Sequence, residues 1–222
     1  MKKTTIEENL IEAIRNDDPT ALSIPDFELR DEKKQSLLFY AVRQNALAVL
    51  KSFAPRLFVN EQNTHGDTPL HMAASLGKTE AIDILLNAGA ESLKNKKGMT
   101  PLMLASRKGS LPAVEALLAK GALPSATDAF SNTSLFYAVE SNKVALFERL
   151  LKAGADPHRS NGKRETLHHI AAKHASLAMV ERLEQCQVPL YVLSEYRETP
   201  LHHAARKGKA EHVAFYLKRG LS

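Results

Sequence analysis

The residues with the clearest potential for chemistry are the histidines, of which the chain has nine. Two adjacent pairs, His168-His169 and His202-His203, are separated by about one repeat of the pattern described below, and imidazole is a common zinc ligand. A zinc site needs several ligands that converge at bonding distance, with further groups that orient them. The only cysteine, Cys186, follows the first pair at the far end of another predicted helix. We therefore expect no metal and no cofactor.

Two other features could indicate catalysis, but neither is sufficient evidence for it. Cys186 is the only possible thiol nucleophile, and a lone cysteine near a helix end is more often a small packed residue. The tripeptide Gly77-Lys78-Thr79 resembles the end of a phosphate-binding loop. Such a loop requires a glycine five residues before Gly77, where this chain has Met72. We predict no catalytic residues and no enzyme activity.

The composition is that of a folded domain. The 222 residues are 44% hydrophobic and 25% charged, with a formal net charge of +5, which excludes intrinsic disorder. No apolar run reaches the ~18 residues of a membrane-spanning helix. The N-terminus runs directly into acidic residues and lacks the apolar segment of a secretory signal. A single cysteine permits no intrachain disulfide, so we expect a cytoplasmic location.

Most of the sequence is an internal repeat. A motif that begins with Ser or Thr recurs at positions 36, 68, 100, 133, 166 and 199, at intervals of 32 or 33 residues. It is clearest at 68–74 (TPLHMAA) and 199–205 (TPLHHAA). A second motif keeps the same period and reads LLNAGA at 85–90, LLAKGA at 117–122 and LLKAGA at 150–155. A period of this length indicates stacked units, none of which buries its apolar face alone.

Local signals predict two helices in each repeat. Thr68 is suited to cap a helix N-terminus, and Pro69 fits the first helical position because its missing N–H is not needed there. Gly89 falls where a helix ends and a positive φ is convenient. Small residues at one position of every repeat permit close helix packing; they are Ala41, Ala73, Ala105, Ala138, Ala171 and Ala204.

The two motifs in register resemble the ankyrin repeat family over essentially the whole chain. The resemblance implies an all-α solenoid of stacked helix-turn-helix units, each preceded by a short β-hairpin or turn, called a finger below. It also implies that His71, His169 and His202 form hydrogen bonds between repeats. The chain is then one domain, 1–222, with a shortened N-terminal capping repeat at 1–35 and repeats that begin near 36, 63, 95, 128, 161 and 194. The last repeat is truncated, and we expect the chain to be part of a longer protein.

The resemblance further implies a non-enzymatic protein-protein interaction module that binds its partner in a concave groove. The fingers and the ends of the first helices line this groove. Most of the helix-end residues are basic, and two aromatic residues occupy finger tips, so we predict a protein or peptide partner with an acidic, partly apolar surface. We expect the binder to be a monomer. The candidate protein-binding residues are Arg43, His65, Leu76, Lys96, Lys97, Met99, Arg107, Lys108, Phe130, Asn132, Glu140, Lys163, Lys173, His174, Tyr196, Arg206 and Lys207.

Three alternatives stay open at this point. The chain could be the targeting portion of a larger multi-domain protein, for example a bacterial effector that acts on host proteins in the host-cell cytosol. Nucleic-acid binding is suggested by an isoelectric point near 9.2. However, the basic residues are spread over several repeats with acidic residues such as Glu32 and Glu195 between them, and no nucleic-acid motif is present. An enzyme hidden in the repeats is the least favoured alternative.

Overall fold

The computed structural model of the chain describes residues 11–22 and 30–221, so much of the expected capping repeat (1–10 and 23–29) lies outside the described residues. A helical segment at 11–15 precedes six helix pairs. Short 3₁₀ helices lie at Pro19–Ala21 and Ala54–Arg56. The pairs are α1 (Leu37–Gln44) with α2 (Leu47–Phe53), α3 (Pro69–Leu76) with α4 (Thr79–Asn87), α5 (Pro101–Lys108) with α6 (Leu111–Ala119), α7 (Ser134–Glu140) with α8 (Val144–Lys152), α9 (Leu167–His174) with α10 (Leu177–Gln185), and α11 (Pro200–Arg206) with α12 (Ala210–Lys218).

The expected all-α solenoid is confirmed. In the two described ranges the chain forms no strand, so the fingers are turns rather than β-hairpins. None of the helices in these ranges has both the length and the apolar character needed to cross a membrane.

The helices form two layers. The first helix of each pair, called the inner helix, packs on the inner helix of the next pair from α1 through to α11. The second helix, called the outer helix, packs against its own inner helix. The six alanines expected to allow close packing are all fully buried, because they lie where successive inner helices approach each other. Burial of apolar surface between successive pairs therefore holds the stack together.

The inner helices begin as the sequence predicts. The Thr68 hydroxyl accepts the backbone N–H of His71, and Pro69 occupies the first turn. The Thr100 hydroxyl accepts the N–H of Met103 in the same way. These caps satisfy donors that have no partner inside the helix, and so they fix where α3 and α5 start.

The motif histidine links one repeat to the next. His71 is the third residue of α3. Its Nδ1 accepts the backbone N–H of Thr68 at 3.1 Å, and its Nε2 donates to the carbonyl of Met99 in the next repeat at 3.0 Å. His169 makes the equivalent bonds to Thr166 and Glu198. Both rings must be neutral to accept at Nδ1, and burial lowers the pKa of each. The predicted hydrogen bonds between repeats are therefore confirmed for these two histidines.

The N-terminal segment is tied to the first helix pair by a carboxylate. The two Asp17 oxygens accept the backbone N–H groups of Ala48 and Val49, each at 3.0 Å. Asp17 thus caps α2 across more than thirty residues of sequence, where an anionic group also complements the helix dipole. Neighbouring Asp18 instead caps the short helix that begins at Pro19 through the N–H of Thr20.

His168 is one of three buried histidines whose Nε2 has no hydrogen-bond partner among the described residues. His168 stands where the equivalent repeats have leucine, and it is fully buried against Tyr216. Burial, together with the adjacent His169, lowers the pKa of His168 to about 3. A buried donor or acceptor without a partner costs stability.

We predict that His168→Leu stabilises the protein, and more so in acid. The unfolded chain takes up a proton near pH 6.5, whereas folded His168 resists protonation. Above that pH, the protonation of His168 does not affect the free energy of unfolding of the wild type. As the pH falls below it, this free energy decreases, by up to about 2 kcal/mol at pH 5. Urea unfolding at pH 7.5 and pH 5 measures the gain. The matched control is His158→Leu at an exposed position. An equal or smaller gain at pH 5 than at pH 7.5 would contradict the prediction.

Candidate interaction surface

Each finger is a tight turn held by the residue at its first position. Asn63 Oδ1 accepts the backbone N–H groups of His65 at 2.9 Å and Asp67 at 3.0 Å, and the N–H of Asn63 donates to the carbonyl of Asp67. Asn and Asp form such turns because their short side chains reach the backbone two and four residues later. The same pair of side-chain bonds is made by Asp31, Asn95, Asp128 and Asn161.

Consecutive fingers are joined by one backbone hydrogen bond each. Gly98 shows how closely they approach, because a Cβ atom added there would lie 2.7 Å from the backbone nitrogen of Ala129. The bonds form a ladder along the stack, with N–H groups of Thr64, Lys96, Ala129, Gly162 and Glu195 donating to carbonyls of Lys33, His65, Lys97, Phe130 and Lys163, respectively. The ladder holds the finger tips in fixed register with the inner helices.

Finger tips and inner helices share one side of the molecule, where they enclose two shallow hollows. The first hollow lies between the second and third fingers, above α3 and α5, and has a volume of about 320 Å³. The second lies between the fourth and fifth fingers, above α7 and α9, and has a volume of about 260 Å³. These two hollows form the candidate interaction surface.

The structure brings eleven of the predicted residues to these hollows and leaves six outside. The first hollow is lined by His65, Lys96, Lys97, Met99 and Arg107. The second is lined by Phe130, Asn132, Glu140, Lys163, Lys173 and His174. The six that line neither hollow are all exposed at helix ends or a finger tip: Arg43, Leu76, Lys108, Tyr196, Arg206 and Lys207. Whether any of them binds a partner stays a prediction.

Two of the predicted binding residues also form contacts that stabilise the fold. Met99 is only 4% exposed, and its carbonyl accepts the bond from His71, so little of its side chain is open to a partner. Its side chain forms the floor of the first hollow, where the Arg107 guanidinium contacts its sulfur at 3.8 Å. Asn132 is half-buried, and its amide already bonds to Asp128 in its own finger and to Asn161 in the next.

The two aromatic tips are exposed as predicted. The Phe130 side chain is 61% exposed and Tyr196 is 67% exposed. The backbone of Phe130 is nevertheless held at both sides, by the Asp128 carboxylate at its N–H and by the N–H of Gly162 at its carbonyl. An exposed aromatic ring on an ordered backbone loses little conformational freedom when it is covered by a partner.

The groove is less basic than the sequence suggested, because two of its helix-end cations are paired. Lys173 forms an ion pair with Glu165, and Arg206 forms one with Glu198. Burial alone would raise the pKa of Glu165, but hydrogen bonds from Lys173 and Asn161 outweigh it and lower the pKa. Sequence reasoning missed both glutamates, although each occupies the position just before the motif threonine, eight residues ahead of its cation.

Two fingers are tied to their inner helices by a tyrosine. The Tyr137 hydroxyl donates to the Asp128 carboxylate, and Tyr40 donates to Asp31 in the equivalent place. Burial, and then the bond to the carboxylate, raises the pKa of Tyr137. Tyr137 lines the second hollow, so this bond fixes one of its walls.

The histidine pairs and the cysteine that were considered as metal ligands or nucleophile line neither of the two hollows. His203 is buried, and its Nε2 lies 3.8 Å from Glu165 and 3.5 Å from Glu198. Burial lowers the pKa of His203 to about 4. Burial raises the pKa of the Cys186 thiol, which favours the unreactive protonated form. Among the residues that the structure describes, no group of three or more His, Cys, Asp or Glu is arranged to hold a metal ion.

A family model described as ankyrin repeats, three copies, matches four overlapping stretches, at 10–95, 38–128, 77–161 and 135–221. Together these stretches span 10–221, which is most of the chain. No curated protein matches the sequence significantly.

We predict that an alanine substitution lowers the free energy of unfolding much more at a buried candidate residue than at an exposed one. Met99→Ala leaves a cavity in the stack and costs about 2–3 kcal/mol in the free energy of unfolding. Phe130→Ala and Tyr196→Ala remove exposed rings and change it by less than about 0.5 kcal/mol. Chemical denaturation of the three variants measures these values. A loss for Phe130→Ala as large as that for Met99→Ala would identify Phe130 as part of the core.

Proposed function

Because the chain belongs to the ankyrin repeat family, whose members are generally protein-protein interaction modules and typically not enzymes, we propose that it binds a partner protein through the groove. The groove comprises the finger tips and the inner-helix ends, including the two hollows. Binding rather than catalysis is the function, and no cofactor takes part. The partner presents an acidic and partly apolar surface.

One observation carries the proposal: the two hollows gather exposed cations and an exposed aromatic ring on a scaffold already held in place. Lys96, Lys97 and Arg107 surround the first hollow, and Phe130 stands at the second. Aromatic and arginine side chains are enriched among residues that dominate binding energy. A surface whose turns are already ordered by the ladder has little entropy to lose on association.

We also propose an oligomeric state and a cellular compartment for the protein. Each of the two hollows is lined by residues of a single copy of the chain, so we propose that the monomer is the binding unit. With one cysteine and no possible intrachain disulfide, we propose that it acts in the cytoplasm.

Affinity capture from cell lysate with quantitative mass spectrometry tests the proposal. The baits are the wild-type chain, a groove variant and a matched control variant. The groove variant is Arg107→Glu/Lys108→Glu/Phe130→Ala. The control is Lys51→Glu/Lys152→Glu/Phe58→Ala, which makes the same charge change on two outer helices and removes an exposed phenylalanine from the connection that follows α2.

We expect the wild type and the control to capture the same proteins, and the groove variant to lose them. The loss should be larger at low salt, because exposed charges act through solvent and are screened by ions. Equal capture by all three baits would place the binding surface elsewhere. No protein captured by the wild type would contradict a stand-alone binding module.

A further inference from the structure

The finger bases and the inner-helix ends form a regular set of side-chain pairs. In four of the six repeats, the residue just before the motif Ser or Thr contacts the residue eight positions later. In the N-terminal half of the groove the partners of the cations are uncharged: Arg43 donates to the Gln35 amide, and Arg107 contacts the Met99 sulfur. In the C-terminal half the partner is a carboxylate, which neutralises the cation: Lys173 with Glu165, and Arg206 with Glu198.

The two hollows differ in charge for the same reason. Three cations line the first hollow, Lys96, Lys97 and Arg107, against the single carboxylate of Asp67, which accepts a hydrogen bond from Asn95 at 2.7 Å. In the described part of the chain, none of these three cations forms an ion pair. The first hollow therefore has an excess of positive charge, because the one carboxylate, that of Asp67, offsets only part of it.

The second hollow has no such excess. Its cations, Lys163 and Lys173, are matched in number by the carboxylates of Glu140 and Glu165. Its distinctive groups are apolar: Phe130 stands at the rim, and Ile170 lies within it. The second exposed aromatic tip, Tyr196, lies two fingers further along in the same C-terminal direction. Both exposed aromatic tips thus lie in the half of the groove that contains the second hollow, whose lining charges balance.

We propose that the groove is polarised and binds an extended acidic–aromatic segment of a partner protein in one direction. Acidic side chains of the segment lie over the first hollow, and an aromatic or large aliphatic side chain lies over the second, beside Phe130. This inference rests on groove binding as proposed above. The hollows are two repeats apart, or roughly 20 Å at the usual spacing of packed helices, so about six extended residues separate the two elements.

The pairing also argues against a nucleic acid in this groove. A polyanion needs cations that follow its phosphates over the length of the contact. Here Glu140, Glu165 and Glu198 line the C-terminal half and occupy or oppose its cations. A segment whose charge is confined to one end matches the groove, and a uniformly charged chain does not.

Selection from a random library of peptides of about 16 residues tests the proposal, since that length spans both hollows. The wild-type chain is expected to enrich peptides with acidic residues about six positions from an aromatic or aliphatic residue. One enriched peptide is then made in three forms: the parent, a form with its acidic residues changed to amides, and a form with its aromatic or aliphatic residue changed to alanine.

Dissociation constants of the three peptides are measured by fluorescence anisotropy at low salt against four variants. Lys96→Gln/Arg107→Gln alters the first hollow, with Lys51→Gln/Lys152→Gln as its control of equal charge change. Phe130→Ala alters the second hollow, with Phe58→Ala as its control, because Phe58 is 83% exposed outside both hollows. The measurements form two double-mutant cycles.

We expect Lys96→Gln/Arg107→Gln to weaken the parent peptide about tenfold or more and the amide form far less. Phe130→Ala should weaken the parent and leave the alanine form nearly unchanged, and both controls should bind like the wild type. Acidic residues that couple to Phe130 as strongly as to Lys96 and Arg107 would overturn the polarity. A 20-nucleotide DNA strand that displaces the peptide from the wild type but not from Lys96→Gln/Arg107→Gln would overturn the protein partner. Failure to enrich any peptide would contradict groove binding itself, and the polarity with it.

Discussion

The backbone hydrogen bond between neighbouring fingers sets the spacing on which the rest of the surface depends. Each bond runs from an N–H near one tip to a carbonyl of the preceding finger, at 2.7 to 3.1 Å. The turn that presents this N–H is closed by its first residue, as Asn63 closes the second finger. The motif histidine completes the connection, since His71 binds the carbonyl at the end of the next finger. Because the turns are fixed to each other and to the inner helices, the hollows between them are preformed.

A shared backbone leaves function to a few variable positions. The residue that closes the finger varies together with one residue of the inner helix: Asp31 and Asp128 bond to Tyr40 and Tyr137, whereas the helix positions opposite Asn95 and Asn161 hold Leu and Ile. The residue before the motif threonine varies with the helix-end residue in a similar way. These exchanges leave the ladder unchanged and alter the charge of the groove. A repetitive scaffold thereby acquires a surface with two different ends.

Much of this structure could be predicted from the sequence, because the repeat places the same local signals in the same register. The capping threonines, the buried alanines and the histidine bonds between repeats follow from single positions such as Thr68 and His71. What could not be predicted depends on contacts across a turn. Met99 lies only two residues after the exposed Lys97, but its side chain is buried in the stack. The pairing of Lys173 with Glu165 joins residues eight apart across a turn, a spacing that neither helix nor strand periodicity predicts. Asp17 caps a helix that begins thirty residues later, a contact that only the assembled stack creates.

Amide hydrogen exchange at the finger ladder, followed by NMR under native conditions, tests the account most directly. The ladder amides of Thr64, Lys96, Ala129, Gly162 and Glu195 are each bonded to the preceding finger, whereas the amide of Ser125, in the connection after α6, is not bonded in the described structure. If the fingers form a fixed platform, the five ladder amides exchange at least about 100-fold more slowly than that of Ser125, once intrinsic rates are corrected. Exchange of the five at the rate of Ser125 would show that the fingers open freely, and the preformed groove would have no basis.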